Sequence, residues 1–234
     1  MLRIFVDPDL LAAGELIVGG DEHHYLAHVR RARPGDAVEL LDGAGRRAAA
    51  TIARIGERDT AIIAGAPEAI AAAPPFVRAL VPLIKGDRMD GCIEKLVEVG
   101  VDAIVVWPAA RSVARLDDAR RDARLARYRA IAQAAARQSG RAQVPDVGAA
   151  DSLAAALAAL PDGVRLVLDP TSDASLDAGG ATDVTIVSGP EGGLAPDELD
   201  RLSGFIAVGL GPRVLRAETA PLVAVALIRA ATRS

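Results

Sequence analysis

The first seventy residues alternate short apolar runs with turn residues. Five such runs are separated by glycine, proline and aspartate, as in the turn Pro34-Gly35-Asp36. Short strands at regular spacing indicate a small antiparallel sheet or barrel. The predicted strands cover residues 2–6, 15–18, 37–41, 48–55 and 60–64.

From residue 76 onward the pattern changes to continuous apolar runs that alternate with helical periodicity. Met89, Cys92, Ile93, Leu96 and Val97 recur at i, i+3, i+4, i+7 and i+8, which is one face of a helix. Continuous apolar strands between helices indicate a parallel sheet covered on both faces. The predicted strands are 76–84, 103–107, 165–169, 184–188 and 205–209.

Helix signals fall between these strands. Gly100 is a suitable stop for the first helix, and Asp151 is the predicted N-cap of a short one. The predicted helices cover 89–97, 116–139 and 152–160, one that begins near Pro196, and 219–232. The chain is therefore predicted to have an α/β fold, with an all-β part ahead of a part with a parallel sheet.

A domain boundary is predicted at the alanine run that ends in Pro74-Pro75. Consecutive prolines favour extended chain and remove backbone donors, so neither a strand ladder nor a helix continues through them. We expect two domains, residues 1–72 and 73–234.

The composition favours a folded protein. Hydrophobic residues make up 51% of the chain and charged residues 25%, which disfavours disorder, and a single cysteine excludes a disulfide scaffold. Cys92 lies on the apolar helix face, where a buried thiol is expected. No apolar run approaches the ~18 residues of a membrane span, and Asp7 interrupts any signal-peptide core, so we expect a cytoplasmic protein with no membrane contact.

The charge pattern gives no global sign of nucleic-acid binding. The net charge is −4, and only Lys85 and Lys95 are lysines among 27 basic residues. Residues 1–74 hold eight arginines against eleven acids. Contacts to nucleic acid would therefore depend on a few placed arginines rather than on bulk charge.

Two loops follow predicted strands and carry the candidate chemistry. The first, Ser188-Gly-Pro-Glu-Gly-Gly193, precedes an acidic helix start at Pro196. Its glycines allow the backbone to approach a ligand and present N–H groups to it, although a tight strand-to-helix turn would use the same residues. No Gly-Lys-Ser/Thr follows, and the dinucleotide fingerprint fails here and at Gly209-Leu-Gly211.

The second loop is Leu210-Gly-Pro-Arg-Val-Leu-Arg-Ala-Glu-Thr-Ala220. Arg213 and Arg216 lie three residues apart, ahead of the last predicted helix. A purely structural interpretation is equally open, in which Thr219 caps that helix and Arg216 pairs with Glu218.

Both loops resemble the C-terminal signature of the SPOUT superfamily of methyltransferases, and more narrowly the ribosomal small subunit methyltransferase E family. The resemblance covers nearly the whole chain, and the common order of its motifs is more specific than any one of them. The other matching segments are Arg3-Ile-Phe, His24-Tyr-Leu-Ala-His-Val-Arg30 with Gly35-Asp36, Lys85-Gly-Asp-Arg88, Glu94-Lys-Leu-Val-Glu-Val-Gly-Val101, Arg111-Ser-Val113, and Gln138-Ser-Gly-Arg141 with Val144-Pro145.

This resemblance implies a PUA-like RNA-binding barrel followed by a SPOUT domain with a trefoil knot. It implies methylation of N3 of a uridine in 16S rRNA of the 30S subunit, a homodimer, and S-adenosylmethionine as the cofactor. Topology rules make knots rare, so periodicity does not predict one. The cofactor residues implied are Leu168, Asp169, Val187, Ser188, Gly189, Pro190, Glu191, Gly192, Gly193, Leu210, Gly211, Val214, Leu215 and Ala220.

The implied reaction sets the expected catalytic roles. A sulfonium methyl needs no activation, so the enzyme must align the N3 nucleophile and make it more anionic. Arg216 is the expected stabiliser of charge on the uracil carbonyl oxygens, because guanidinium is a permanent, directional donor. It cannot take the proton. Glu191 and Glu218 are the candidates for a base or an orienting group.

RNA contacts are expected from a few basic residues and one histidine. Three histidines, His23, His24 and His28, include an i, i+4 pair, but no third clear ligand lies nearby and no metal site is expected. The expected RNA-binding residues are Arg3, His24, Arg30, Arg31, Lys85 and Arg111.

Two positions depart from the family pattern. Arg137 stands where the family usually carries Glu, and Ala195 stands where a Ser or Thr N-cap is expected. Two other functions stay open on the sequence. One is a different SPOUT RNA methyltransferase that acts on a ribose 2′-OH, in tRNA or rRNA; the other is a non-catalytic RNA-binding factor in ribosome assembly.

Overall fold

The computed structural model describes residues 1–112 and 118–232. Leu116, the predicted start of the long helix, and Val113 of the Arg111-Ser-Val113 motif lie outside these residues. The chain divides into two compact units, Met1–Ala72 with Ala136–Val144, and Ala73–Ala135 with Pro145–Ser234.

The N-terminal unit is built on a six-stranded sheet. Its hydrogen-bonded order is β1-β3-β4-β5-β2, and β6 pairs with β4. All pairs are antiparallel as predicted except β1 with β3, which is parallel. The strands are β1 Leu2–Phe5, β2 Gly14–Gly19, β3 Ala37–Leu41, β4 Arg46–Ile55, β5 Asp59–Ala64 and β6 Glu68–Ala69.

A helical segment that periodicity did not predict joins β2 to β3. Helix α1, Gly20–His24, runs directly into a π-helical turn, Tyr25–Val29. The imidazole of His23 is buried, and its Nδ1 lies 2.9 Å from the hydroxyl oxygen of Thr60. The segment therefore closes one end of the core, to which Leu26 also contributes a fully buried side chain.

The C-terminal unit has the all-parallel sheet that the apolar runs predict. Its order is β12-β10-β11-β7-β8-β9, and every neighbouring pair is parallel. The strands are β7 Phe76–Pro82, β8 Ala103–Trp107, β9 Asp146–Ala149, β10 Val164–Leu168, β11 Asp183–Val187 and β12 Ile206–Val208. Edge strand β9 was not predicted, because Asp-Val-Gly-Ala carries only one large apolar residue.

In the part of this unit that the structure describes, five helices accompany the sheet: α2 Asp87–Val99, α3 Asp118–Ser139, α4 Leu153–Ala158, α5 Pro196–Arg201 and α6 Thr219–Ala231. Helix α2 buries the five residues of its predicted face and ends at Gly100, whose φ of 105° suits glycine. The predicted N-cap Asp151 is wrong: Ser152 caps α4, and its hydroxyl accepts a hydrogen bond from the amide of Ala155 at 3.1 Å.

The chain after β10 lies against the end of β12. The hydroxyl of Ser172 donates to the Ala207 carbonyl at 2.9 Å, and the Gly209 amide donates to the Ala174 carbonyl at 2.9 Å. A Cβ on Gly209 would come within 2.1 Å of the Ser172 carbonyl oxygen, so this crossing requires glycine. Among the described residues, no helix is long and apolar enough to cross a membrane.

Candidate active site

A cavity of about 780 Å³ opens at the carboxyl ends of β10, β11 and β12. This is where parallel α/β sheets bind ligands, and its volume falls within the range of about 300–1,000 Å³ usual for small-molecule sites. Its lining residues are Val167, Leu168, Asp169, Pro170, Thr171, Ser188, Gly189, Pro190, Glu191, Gly193, Leu194, Leu199, Leu202, Ser203, Phe205, Ala207, Val208, Leu210, Gly211, Arg213, Val214, Leu215, Arg216, Ala217 and Ala220.

Asp169, directly after β10, shapes the first wall. Its Oδ1 accepts hydrogen bonds from the amide and the hydroxyl of Thr171 at 2.8 and 2.7 Å. The carboxylate thus closes an Asx turn at the strand end, in a residue that lines the cavity.

The glycine loop after β11 forms the second wall. Gly193 has a φ of 73°, and its amide donates to the Pro190 carbonyl at 2.8 Å, which closes a tight turn. A Cβ on Gly189 would lie 3.1 Å from the Cγ of Leu194, so the turn packs closely on itself. The loop combines both interpretations left open by the sequence, since it is a tight strand-to-helix turn and also lines the cavity.

Two side chains from other segments hold the glycine loop in place. The carboxylate of Glu198, buried at the start of α5, accepts from the amides of Ala195 and Ala110 at 2.7 and 2.8 Å. The bond to the Ala195 amide is the half of a capping box that the third helical residue supplies, and the alanine side chain cannot supply the other half. The guanidinium of Arg111 donates to the carbonyls of Gly192 and Leu194 at 3.1 and 3.3 Å.

The loop after β12 forms the third wall. Gly211 has a φ of 108°, and Val214 is 83% exposed at the cavity. An apolar side chain with this much solvent exposure is a suitable contact for a bound molecule.

Most of the predicted cofactor residues meet at this one cavity. The exceptions are Val187, whose side chain is fully buried in the core with Leu80 and Trp107, and Gly192, which packs against Arg111. The sequence reasoning missed Leu199, Leu202 and Phe205, which come from α5 and the turn after it. Their i, i+3, i+6 spacing after the glycine loop was the available signal.

The structure brings the three predicted catalytic residues together and places the guanidinium of Arg88 beside two of them. Arg216 leaves 78% of its side chain exposed, and its Nη1 lies 3.9 Å from Oε1 of Glu218. Arg88, in the first turn of α2, lies with its Nη1 2.9 Å from Oε1 of Glu191 and 3.7 Å from Oε2 of Glu218. Arg216 and Glu191 line the cavity, while Glu218 lies just behind its wall.

The structural interpretation of this loop holds only in part. Arg216 pairs loosely with Glu218, but Thr219 does not cap α6: the N-cap is Glu218, whose side chain makes no capping hydrogen bond. Instead, the amides of Thr219 and Ala220 donate to the Arg216 carbonyl at 2.9 and 3.0 Å.

Cys92 is buried beside this cluster, as predicted. Burial in the apolar α2 face, together with the charge of Glu218, raises the pKa of the thiol to about 12. A thiol with so high a pKa is not a nucleophile at neutral pH.

The residues predicted to bind RNA are distributed over both units. In the N-terminal unit His24, Arg30 and Arg31 are exposed, and the His24 and His28 rings lie 5.1 Å apart. Arg3 is engaged within that unit, since its guanidinium donates to Glu39 and to the Gln138 carbonyl.

In the C-terminal unit Lys85 is exposed just ahead of α2, whereas Arg111 is engaged with the glycine loop. Within residues 1–112 and 118–232, no group of three or more His, Cys, Asp or Glu side chains could hold a metal ion.

Arg137, which departs from the family pattern, has a local role. Its guanidinium donates to Glu22 at 3.2 Å and lies 4.6 Å from the ring centre of Tyr25. Desolvation by burial raises the pKa of Glu22, although the charge of Arg137 opposes that rise. An acid at position 137 would repel Glu22, so these two positions are coupled in this chain.

Two family models match the chain. An RNA methyltransferase domain matches residues 73–229, and an RNA methyltransferase PUA domain matches residues 18–63. The first model alone covers more than half of the chain.

Similar proteins carry a consistent description. The chain is 38% identical to a ribosomal RNA small subunit methyltransferase E of Mycobacterium bovis over 91% of this chain and 85% of that one. It is 31% identical to that of Bacillus subtilis, over 97% and 96%. The crystal structure of a ribosomal RNA small subunit methyltransferase E from Neisseria gonorrhoeae bound to S-adenosyl methionine matches with a TM-score of 0.89 and 28% identity, over 99% and 98%.

Proposed function

The chain belongs to the ribosomal RNA small subunit methyltransferase E family, and on that premise we propose that it methylates N3 of a uridine in 16S rRNA with S-adenosylmethionine as the methyl donor. One observation carries the proposal: the cavity at the carboxyl ends of β10, β11 and β12 has an arginine and an acid at its wall, Arg216 and Glu191. The cavity thus combines a site of cofactor size with side chains that can act on the weakly acidic N3–H of a uracil base.

The residues present fit S-adenosylmethionine. Glycine turns let the backbone approach an adenosine closely, and Leu199, Leu202 and Phe205 offer apolar wall for its ring. The cofactor residues proposed are those predicted from the sequence that line the cavity, which leaves out Val187 and Gly192, together with these three. When bound, S-adenosylmethionine supplies an electrophilic methyl group that the protein need not activate.

The protein's own contribution is to hold the base and its charge. Loss of the uracil N3 proton to an acceptor places negative charge on N3 and on the two flanking carbonyl oxygens. N3 uses that electron pair for its bond to the methyl group, as the bond from methyl to the donor sulfur breaks and the sulfur leaves as a neutral thioether. The guanidinium of Arg216, exposed at the cavity, can donate to one of the carbonyl oxygens. Glu191, which lines the cavity, and Glu218, which pairs with Arg216, are the acids proposed to accept the proton or to orient Arg216.

Further parts of the proposal concern the rest of the assembly. Residues 1–72 are proposed to hold rRNA and residues 73–234 to carry the catalytic site. His24, Arg30 and Arg31 in the N-terminal unit and Lys85 in the other are the exposed candidates for RNA contact. Arg3 and Arg111 are engaged within the protein, so any RNA contact they make is secondary.

The proposed partner is the 30S subunit or its 16S rRNA, which places the enzyme in the cytoplasm. We also propose a homodimer and a knotted C-terminal region. The contacts of Ser172 and Ala174 with the end of β12 support the knot.

The test is a methylation assay with purified protein. Its substrates are 30S subunits and free 16S rRNA from a strain that lacks the gene, with S-adenosylmethionine as donor. Nucleoside mass spectrometry should find 3-methyluridine only where enzyme is added. A 2′-O-methylated product would show a different SPOUT activity, and no methylation together with no calorimetric binding of S-adenosylmethionine would show a non-catalytic RNA-binding protein.

A further inference from the structure

We propose that Arg88 is a positioning residue of the methyl-transfer site, which acts through Glu218 on Arg216. The inference rests on the proposed function and adds a residue from α2 to it. Arg88 belongs neither to the cavity lining nor to the two loops that carry the candidate chemistry.

The observation behind the proposal is a row of alternating charges. Arg216 lies 3.9 Å from one oxygen of Glu218, whose other oxygen lies 3.7 Å from Nη1 of Arg88. The same Nη1 lies 2.9 Å from Glu191. One guanidinium thus links the start of α6 to the glycine loop, and both of these segments border the cavity.

Glu218 needs Arg88 more than an ordinary surface acid needs its partner. Its Oε2 is buried and finds no hydrogen-bond donor in the part of the chain that the structure describes. A buried carboxylate oxygen without a hydrogen bond is costly, so the nearby guanidinium is what compensates it. If the charge of Arg88 is removed, rotation of the Glu218 carboxylate toward water becomes favourable.

Arg216 depends in turn on Glu218. Its side chain is 78% exposed, and among the described residues the ion pair found for it is the contact with Glu218. A long, exposed arginine loses its preferred direction when its partner moves. Because charge stabilisation depends on a donor already aimed at the developing charge, the effect should appear in turnover.

Packing holds Arg88 in place. One turn further along α2, the Sγ of Cys92 lies 3.7 Å from the Glu218 carbonyl oxygen, and Met89 is fully buried. The backbone of α2 is therefore fixed against the start of α6. Loss of the Arg88 side chain should leave the fold intact, since Arg88 itself is 44% exposed and such ion pairs add little stability.

The experiment compares Arg88→Ala with Arg127→Ala as a matched control. Arg127, in α3, pairs with Asp90 of α2, the helix that carries Arg88, but neither Arg127 nor Asp90 lines the cavity. We expect Arg88→Ala to lower kcat by about tenfold to a hundredfold, with the Kd for S-adenosylmethionine unchanged within about threefold. Arg127→Ala should match the wild type, and both should keep Tm within about 4 °C of it.

Two further variants test the route. Arg88→Lys, which keeps the charge, should recover part of the lost turnover. Glu218→Gln should reproduce the loss, and the double variant should be no slower than the slower single one, because both changes break one chain of contacts.

Each other outcome overturns the inference in its own way. If Arg88→Ala behaves like Arg127→Ala, the ion pairs are incidental. Equal losses of cofactor affinity and turnover would make Arg88 part of cofactor binding, and losses that multiply in the double variant would make it independent of Glu218. A wild-type protein that binds S-adenosylmethionine and methylates no rRNA would instead count against the proposed function.

Discussion

At the scale of single residues, the partners of a side chain distinguish the arginine proposed to act on substrate from one that holds the site in place. Arg216 is open to solvent and makes a loose ion pair with Glu218, whereas the guanidinium of Arg111 donates hydrogen bonds to backbone carbonyls of the protein. Both are arginines in loops near the cavity, so residue type alone does not distinguish them. Their hydrogen-bond and ion-pair partners distinguish them.

The first residue-scale prediction concerns Arg216. Because its side chain packs against little, Arg216→Ala should leave Tm and the Kd for S-adenosylmethionine nearly unchanged. Turnover should fall by about 10²–10³, as when a donor to a developing oxyanion is deleted. Calorimetry and steady-state kinetics measure the two quantities. Equal losses in binding and in kcat would show that Arg216 holds the cofactor instead.

The second residue-scale prediction concerns Cys92 and the free energy of unfolding at alkaline pH. Burial raises the pKa of Cys92 from 9.0 to about 12 in the folded state, so the unfolded thiol ionises first as the pH rises. Its contribution is complete below pH 9 and is lost as the pH rises toward 12, by about 1.4 kcal/mol per pH unit. Urea unfolding of wild type and Cys92→Ala should show the stability difference shrink between pH 8 and 10. A constant difference would contradict the burial effect.

At the scale of elements, the glycine loop is held from outside itself. Glu198 accepts from the amides of Ala110 and Ala195, and Arg111 covers two carbonyls of the loop. Ala110 and Arg111, in the segment after β8, thus support the cavity wall that is formed by the glycine loop after β11. A Cβ on Gly192 would lie 3.1 Å from the Cβ of Arg111, which shows how closely the two segments approach.

The element-scale prediction is a change in cofactor affinity. Arg111→Ala removes two hydrogen bonds from a charged donor, so the glycine loop should relax and the Kd for S-adenosylmethionine should rise about tenfold. Arg165→Ala is the control, because Arg165 also donates to a carbonyl, that of Pro161, but on the opposite end of β10. If RNA affinity falls while cofactor affinity stays, Arg111 acts on RNA rather than on the loop.

The elements also differ in whether the sequence could predict them. The α2 face and the parallel strands were predicted because burial there follows the periodicity of the apolar residues. Strand β9 and helix α1 were missed, since each is short and is fixed by neighbours distant in sequence. In the site, the loops could be predicted from their glycines. The place of Arg88 could not, because it depends on how α2 packs against α6.

At the scale of the whole molecule, each unit depends on contacts between segments far apart in the chain. In the C-terminal unit Arg229, near the end of α6, donates to three carbonyls from the first part of that unit's sequence: Ala73 at 3.1 Å, Pro75 at 2.7 Å and Gly100 at 2.9 Å. It also pairs with Asp102, whose carboxylate accepts from the Val77 amide at 2.8 Å. The last helix is thereby tied to the first strand.

The whole-molecule prediction follows from that contact set. Arg229→Ala leaves the carboxylate of Asp102, 15% exposed, without its guanidinium, and a mostly buried pair broken on one side costs about 3–5 kcal/mol. Urea unfolding should show the free energy of unfolding fall by that amount, while Arg127→Ala, from an exposed pair, should lower it by less than about 1 kcal/mol. At a temperature where the variant stays folded, its Kd for S-adenosylmethionine should equal that of wild type, because Arg229 lies outside the cavity lining. A stability loss no larger than that of Arg127→Ala would mean that the start of β7 and the end of α6 are held together by apolar packing alone.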